Sequence, residues 1–204
     1  FFGRVIKGFR STRRCHTGTH ILKGLELASP LSRDLAQRDR FGPETWYGPG
    51  RLLCTVLVGT AGYTGISAAA NENGTDGTVR VSAAHLNPSL VTFDFARDPQ
   101  KPKFAIRAPN GLTAFARISG ENHSTIAMKD KGPLNDRTMA LIRESLRVTD
   151  AGFPAFASKL DVFSDSERSA GTGTRFTQPY QNTVVRLTDS LDAFVPDYFF
   201  EVFA

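Results

Sequence analysis

The chain has 204 residues, 40% of them hydrophobic, with a net charge of +5. That is enough to bury a sizeable core in one domain, or in one domain with a small appendage, and it excludes a wholly disordered chain. No stretch approaches 18 consecutive apolar residues, which excludes a continuous apolar spanning helix.

Charge is uneven along the chain. Residues 1–40 hold nine cations (Arg4, Lys7, Arg10, Arg13, Arg14, Lys23, Arg33, Arg38, Arg40) against Glu26, Asp34 and Asp39. Such a stretch can meet nucleic acid or anionic lipid. It lacks aromatic interleaving and any nucleic-acid reader motif, so no nucleic-acid partner is expected and the segment is read as solvated. Residues 1–24 show no period and read as a basic irregular segment. No signal peptide is expected from Phe1-Phe2-Gly3-Arg4, and the compartment is left between the cytoplasm and export. Cys15 and Cys54 are too few and too far apart to define a disulfide framework, and Cys54 lies in an apolar run as a core residue.

Helical pieces are predicted between His20 and Asp39, interrupted at Pro30, with Ser29-Pro30 as a helix start. Residues 41–50 form a Gly/Pro loop. Leu52 to Val58 is a continuous apolar run ending at Gly59, with the length of a strand buried on both faces of a parallel sheet. Thr64 to Asn71 reads as a short Ala-rich helix, ended by Asn71-Glu72-Asn73-Gly74. Short strands are predicted at Val79–Val81, Ser89–Phe95 and Phe104–Ile106, and an alternating one at Ala114–Ile118. Asn135 caps a helix running to Val148. The Phe residues, 16 in number, are read as core within packed sheets. Residues 164–175 are rich in Ser, Gly and Thr and read as a linker. Thr183–Leu187 and Tyr198–Phe203 read as strands about the turn Asp189–Asp192, the start of a small β domain over 176–204.

Two short segments carry the chemistry. Gly74-Thr75-Asp76-Gly77-Thr78-Val79 sets an aspartate between two glycines. Glu121-Asn122-His123-Ser124-Thr125-Ile126 sets a histidine between a strand and a helix. An aspartate followed by a histidine is the trailing part of a Ser…Asp…His order. Imidazole is the side chain suited to take a proton from a hydroxyl near neutrality. A carboxylate on its far nitrogen fixes the tautomer and stabilises the imidazolium that forms. Asp-Gly is also a common turn dipeptide, and a loop histidine can serve the backbone alone.

Other candidates are weaker. His85 is read as structural and as the reserve base. Cys15, His16 and His20 lack a fourth ligand at zinc-site spacing, so no metal is expected. Ser124 adjoins His123, and neighbouring side chains point apart. Gly171-Thr172-Gly173-Thr174 lacks the Gly-Lys-Ser/Thr of a phosphate loop.

Thr75-Asp76-Gly77-Thr78-Val79 and His123-Ser124-Thr125-Ile126 resemble the acid-bearing and base-bearing segments of α/β-hydrolases of the lipase, esterase and acyltransferase kind. Leu25–Leu35 resembles the segment preceding the acid-bearing strand. The resemblance implies an α/β fold over 25–163: part of the hydrolase sheet, mostly parallel strands with flanking helices, followed by the short β appendage. It implies Asp76 as triad acid, His123 as triad base, an ester or lipid substrate in the intact enzyme, and no cofactor. The family's serine would lie before about Leu25, in a Gly-x-Ser-x-Gly turn. No such motif occurs in these residues, and Ser11 has no flanking glycines. The expectation is therefore a C-terminal part of a serine hydrolase, inactive alone and with its N-terminal half as a partner. The alternative is a non-catalytic remnant, or a binding module using the basic N-terminus.

Overall fold

In the computed structural model, Ile21 and residues 29–129, 131–170 and 181–195 are described. Helix α1 (Pro30–Phe41) begins as its sequence predicts. Pro30 occupies the first helical turn, where its missing N–H costs nothing, and the Ser29 hydroxyl accepts from the Ser32 N–H at 3.0 Å.

Strand β1 (Thr55–Gly59) pairs in parallel with β4 (Ala114–Ile118), Thr55 opposite Ala114 and Gly59 opposite Ile118. A parallel neighbour requires a crossover, and here the crossover carries half of the remaining elements. It holds a 3₁₀ turn (Gly65–Ala70), the Asp76 loop and a four-residue helix α2 (Val81–Ala84). It then holds an antiparallel hairpin of β2 (Leu90–Asp94) and β3 (Lys103–Arg107). After β4 come the single-turn helix α3 (His123–Ile126), α4 (Asp136–Arg147) and α5 (Phe153–Ala170). The result is a mixed α/β fold with one parallel pair and one separate antiparallel pair among the described residues.

The core lies between β4 and the two long helices. Alternation along β4 buries Ala114, Ala116 and Ile118 on one face. Phe153, Phe156, Ala157 and Leu160 follow helical spacing along α5 and cover that face, joined by Leu141 of α4. The small alanines let α5 approach the strand closely.

Several expectations are corrected. The strand starts at Thr55 rather than Leu52, and Leu52 is exposed beside an isolated bridge to Tyr47. Burial of β1 is partial because β4 is its only strand neighbour among the described residues. Val79–Val81 is not a strand: the Asp76 carboxylate draws the Thr78 and Val79 N–H groups into a turn, and Val81 then opens α2. The Ala-rich segment winds as 3₁₀ rather than α-helix.

The segment read as a linker is helical as far as Ala170. Ser164 accepts from the Arg117 N–H at 3.2 Å, and Glu167 accepts from the Ser119 N–H at 2.7 Å. Side chains facing β4 override the loop-like composition. Phe93, Phe95 and Phe104 are exposed on the hairpin rather than packed in a core.

Thr183–Leu187 forms no strand. The turn at Asp189–Asp192 is present, closed by a bridge between Thr188 and Phe194. Residues 1–20, 22–28, 171–175 and the expected strand at 198–203 lie outside the described residues.

Leu160 is wholly buried and Leu146 is 81% exposed. Leu160→Ala is expected to lower stability by about 2–5 kcal/mol. Leu146→Ala is expected to shift it by no more than about 0.5 kcal/mol. Urea unfolding followed by circular dichroism measures both, and equal losses would place the core elsewhere.

Candidate active site

The Asp76 loop is shaped by its glycines. Gly74 and Gly77 have φ of 71° and 98°, the left-handed region where glycine is unstrained. The Tyr63 ring lies against Gly77, where an added Cβ would come within 2.7 Å of it. The Tyr63 hydroxyl meets Thr78 Oγ1 at 2.7 Å, so this ring braces the loop from outside.

Asp76 itself is buried. Its Oδ1 accepts from the Thr78 N–H at 3.0 Å and the Val79 N–H at 2.7 Å. These two bonds aim the other oxygen outward. Oδ2 lies 3.0 Å from Nδ1 of His123. The backbones are joined as well, the His123 N–H donating to the Asp76 carbonyl at 2.9 Å.

His123 is the first residue of α3. Asn122 caps that turn, its side chain accepting from the Ser124 and Thr125 N–H groups, while Thr125 Oγ1 accepts from the Asn122 N–H. This reciprocal cap fixes the backbone that carries the imidazole. The two candidate side chains differ sharply in exposure, 47% for His123 and 2% for Asp76. An ionised carboxylate only accepts, so Nδ1 of the neutral ring carries the proton and donates it. Nε2 is then left with its lone pair, and it has no partner among the described residues.

Behind His123 stands Glu121, which had no assigned role in the sequence. Its carboxylate is fully buried. It accepts from the Leu134 N–H at 2.9 Å, the Asn135 N–H at 3.2 Å, Asn135 Nδ2 at 2.9 Å and Thr138 Oγ1 at 2.8 Å. Its carbonyl accepts from the Ala61 N–H at 2.8 Å. Gly59 permits that approach, since a Cβ there would overlap the Glu121 carbonyl. Burial pushes the Glu121 pKa up, but hydrogen bonds from Thr125, Thr138, Leu134 and Asn135 outweigh it and hold the group below the ordinary glutamate value. No local signal marked it, since its side-chain partners lie 13 to 17 residues downstream.

The remaining candidates fall elsewhere. The His85 ring stacks edge-on against Phe115, its Nδ1 accepting from the Asn87 N–H. Burial lowers its pKa and favours the neutral ring. Ser124 contributes its N–H to the Asn122 cap. Cys15, His16, His20 and Gly171–Thr174 lie outside the described residues, among which no cluster of three or more His, Cys, Asp or Glu could hold a metal ion. A shallow depression of about 430 Å³, lined in part by Glu144, Arg147, Phe156 and Lys159, includes neither Asp76 nor His123.

Among solved structures, the chain is similar to phospholipase PlaB from Legionella pneumophila in complex with thio-NAD. The TM-score is 0.57 at 22% identity, covering 73% of this chain and 34% of that one. A second structure of the same phospholipase gives a TM-score of 0.57 at 21% identity, with the same coverage of 73% and 34%. The likeness is one of fold. The chain spans about a third of the phospholipase's length. No protein-family model and no curated protein matches the chain.

Glu121 generates a prediction with a definite sign. Its folded pKa lies below its unfolded one, so the stability it contributes is present above the ordinary glutamate value of 4.5 and is lost as pH falls through the folded value. Glu121→Gln removes that term and turns one acceptor into a donor facing N–H groups. It is expected to cost roughly 2–4 kcal/mol at neutral pH and to flatten the loss of stability below pH 4.5. Urea midpoints across a pH series measure this, and parallel curves for the two proteins would remove the carboxylate from the account.

Proposed function

We propose that the chain carries the acid and base of a serine hydrolase acting on carboxylic esters, lipid esters among them. One observation carries this reading: a buried Asp76 carboxylate 3.0 Å from Nδ1 of an exposed histidine. A lipase-like fold supports it.

In this reading Nε2 of His123 takes the proton of a serine hydroxyl as its oxygen adds to the ester carbonyl. Asp76 holds the ring in orientation and stabilises the imidazolium. The tetrahedral adduct collapses, and the departing alcohol takes the proton back from Nε2. A water deprotonated by the same nitrogen then adds to the acyl-serine, and the serine oxygen departs with the proton returned from Nε2, releasing the acid. The serine and its oxyanion donors would come from a Gly-x-Ser-x-Gly segment and a loop beyond these residues, since the 204 residues contain no such motif. The N-terminal half that supplies them is the partner this reading requires.

The test uses the longest open reading frame that encodes these residues, expressed whole, with nitrophenyl esters and phospholipids as substrates. His123→Ala and Asp76→Asn are each expected to lower kcat by roughly 10⁴-fold. The 204 residues alone are expected to show no turnover above background. Turnover by the 204 residues that His123→Ala abolishes would place a nucleophile inside them. Full activity of the whole protein after His123→Ala would end the hydrolase assignment of the dyad.

A further inference from the structure

The β2–β3 hairpin is the least explained part of the fold. Its register sets Val91 opposite Ile106 and Phe93 opposite Phe104. Alternation places Phe95 on the same face, and these five side chains are between 45% and 66% exposed. The Phe93 ring lies 6.3 Å from that of Phe104 and 6.4 Å from that of Phe95, so the aromatics form one continuous surface. The two strands pair with each other and, among the described residues, pack substantially on no other element. The hairpin is tied at its base, where the Arg107 guanidinium donates to the Phe41 carbonyl at 2.7 Å and sits over the Phe41 ring.

The far end of the hairpin carries Arg97, Lys101 and Lys103 against Asp94 and Asp98. Asp94 and Asp98 both serve the local backbone, accepting from the Ala96 and Gln100 N–H groups at 2.9 Å. Arg97, Lys101 and Lys103 have no ion pair among the described residues. An isolated two-stranded hairpin with one apolar face is marginal in water and gains from a cover. An anionic lipid surface meets both needs at once, taking the phenyl rings among its acyl chains and the cations at its phosphates.

We propose that the hairpin face of Val91, Phe93, Phe95, Phe104 and Ile106, flanked by Arg97 and Lys101 of the connecting turn, docks on an anionic phospholipid membrane. The inference rests on the ester-hydrolase reading only for its purpose, delivery of the protein to a lipid ester. The docking itself needs neither Asp76 nor His123.

Co-sedimentation of the 204-residue chain with vesicles tests it. One set is phosphatidylcholine and the other is phosphatidylcholine mixed with phosphatidylglycerol. The chain is expected to partition into the mixed vesicles, and His123→Ala to leave that unchanged. Phe93→Ser with Phe104→Ser is expected to weaken partitioning about tenfold or more. Arg97→Glu with Lys101→Glu, at exposed turn positions outside the strands, is expected to weaken binding to the mixed vesicles about tenfold. The proposal is overturned if the chain ignores both vesicle sets. Undiminished binding by both hairpin variants also overturns it and points to the basic residues 1–40. So does a dimer in gel filtration that the Phe substitutions dissociate, with no vesicle binding. Loss of the hydrolase reading with vesicle binding intact would leave the docking face standing.

Discussion

Much of this structure depends on one buried carboxylate. Glu121 sits where β4 ends, α3 begins and α4 starts, and its hydrogen bonds tie these elements to the chain leaving β1. Its side chain gathers the N–H groups of Leu134 and Asn135 and the hydroxyl of Thr138, while its carbonyl holds the chain leaving β1 at Ala61. An ion removed from water is tolerated only when donors replace hydration. Here the donors are backbone groups at a helix start, which would themselves lack partners. The carboxylate and the helix end therefore satisfy each other, and His123 is placed two residues beyond the joint.

The parallel pairing of β1 with β4 does the rest. It brings the exits of both strands to the same end of the sheet. The Asp76 loop lies in the crossover and the His123 turn directly follows β4, so one register serves two segments 47 positions apart. The donors on Asp76 then refine the geometry from the scale of a strand to that of a hydrogen bond.

How much of this was legible depends on whether the signal was local. The Ser29 and Asn135 caps, β4 and the two-residue glycine frame of Asp76 were readable because each is decided within a few positions. The Asp76–His123 pair was readable because its order is a known chemical order. Helix α5 was obscured by composition: Ser164 and Ser166 look like linker, yet Phe153, Phe156, Leu160 and Glu167 keep one helical face inward. Spacing, not residue type, decided the outcome. Glu121 was illegible for a different reason, because its partners lie 13 to 17 residues downstream and become neighbours only when α4 folds against it. The hairpin phenylalanines carried the opposite error. Alternation correctly gave the strands, but periodicity states which side chains share a face and not what covers it.

The proposed reading of the Asp76–His123 pair rests on its contrast in exposure. An aspartate kept only for its turn needs one oxygen on the backbone N–H groups and can leave the other in water. Asp76 buries both, and points the second at a ring nitrogen. A histidine kept only for packing tends to lose its ring to the interior, as His85 does against Phe115. His123 instead gives one nitrogen to the buried acid and keeps much of its ring at the surface. A dry acceptor behind and an open lone pair ahead is the polarity a general base requires, because the proton must arrive from outside and the compensating charge must already be waiting within.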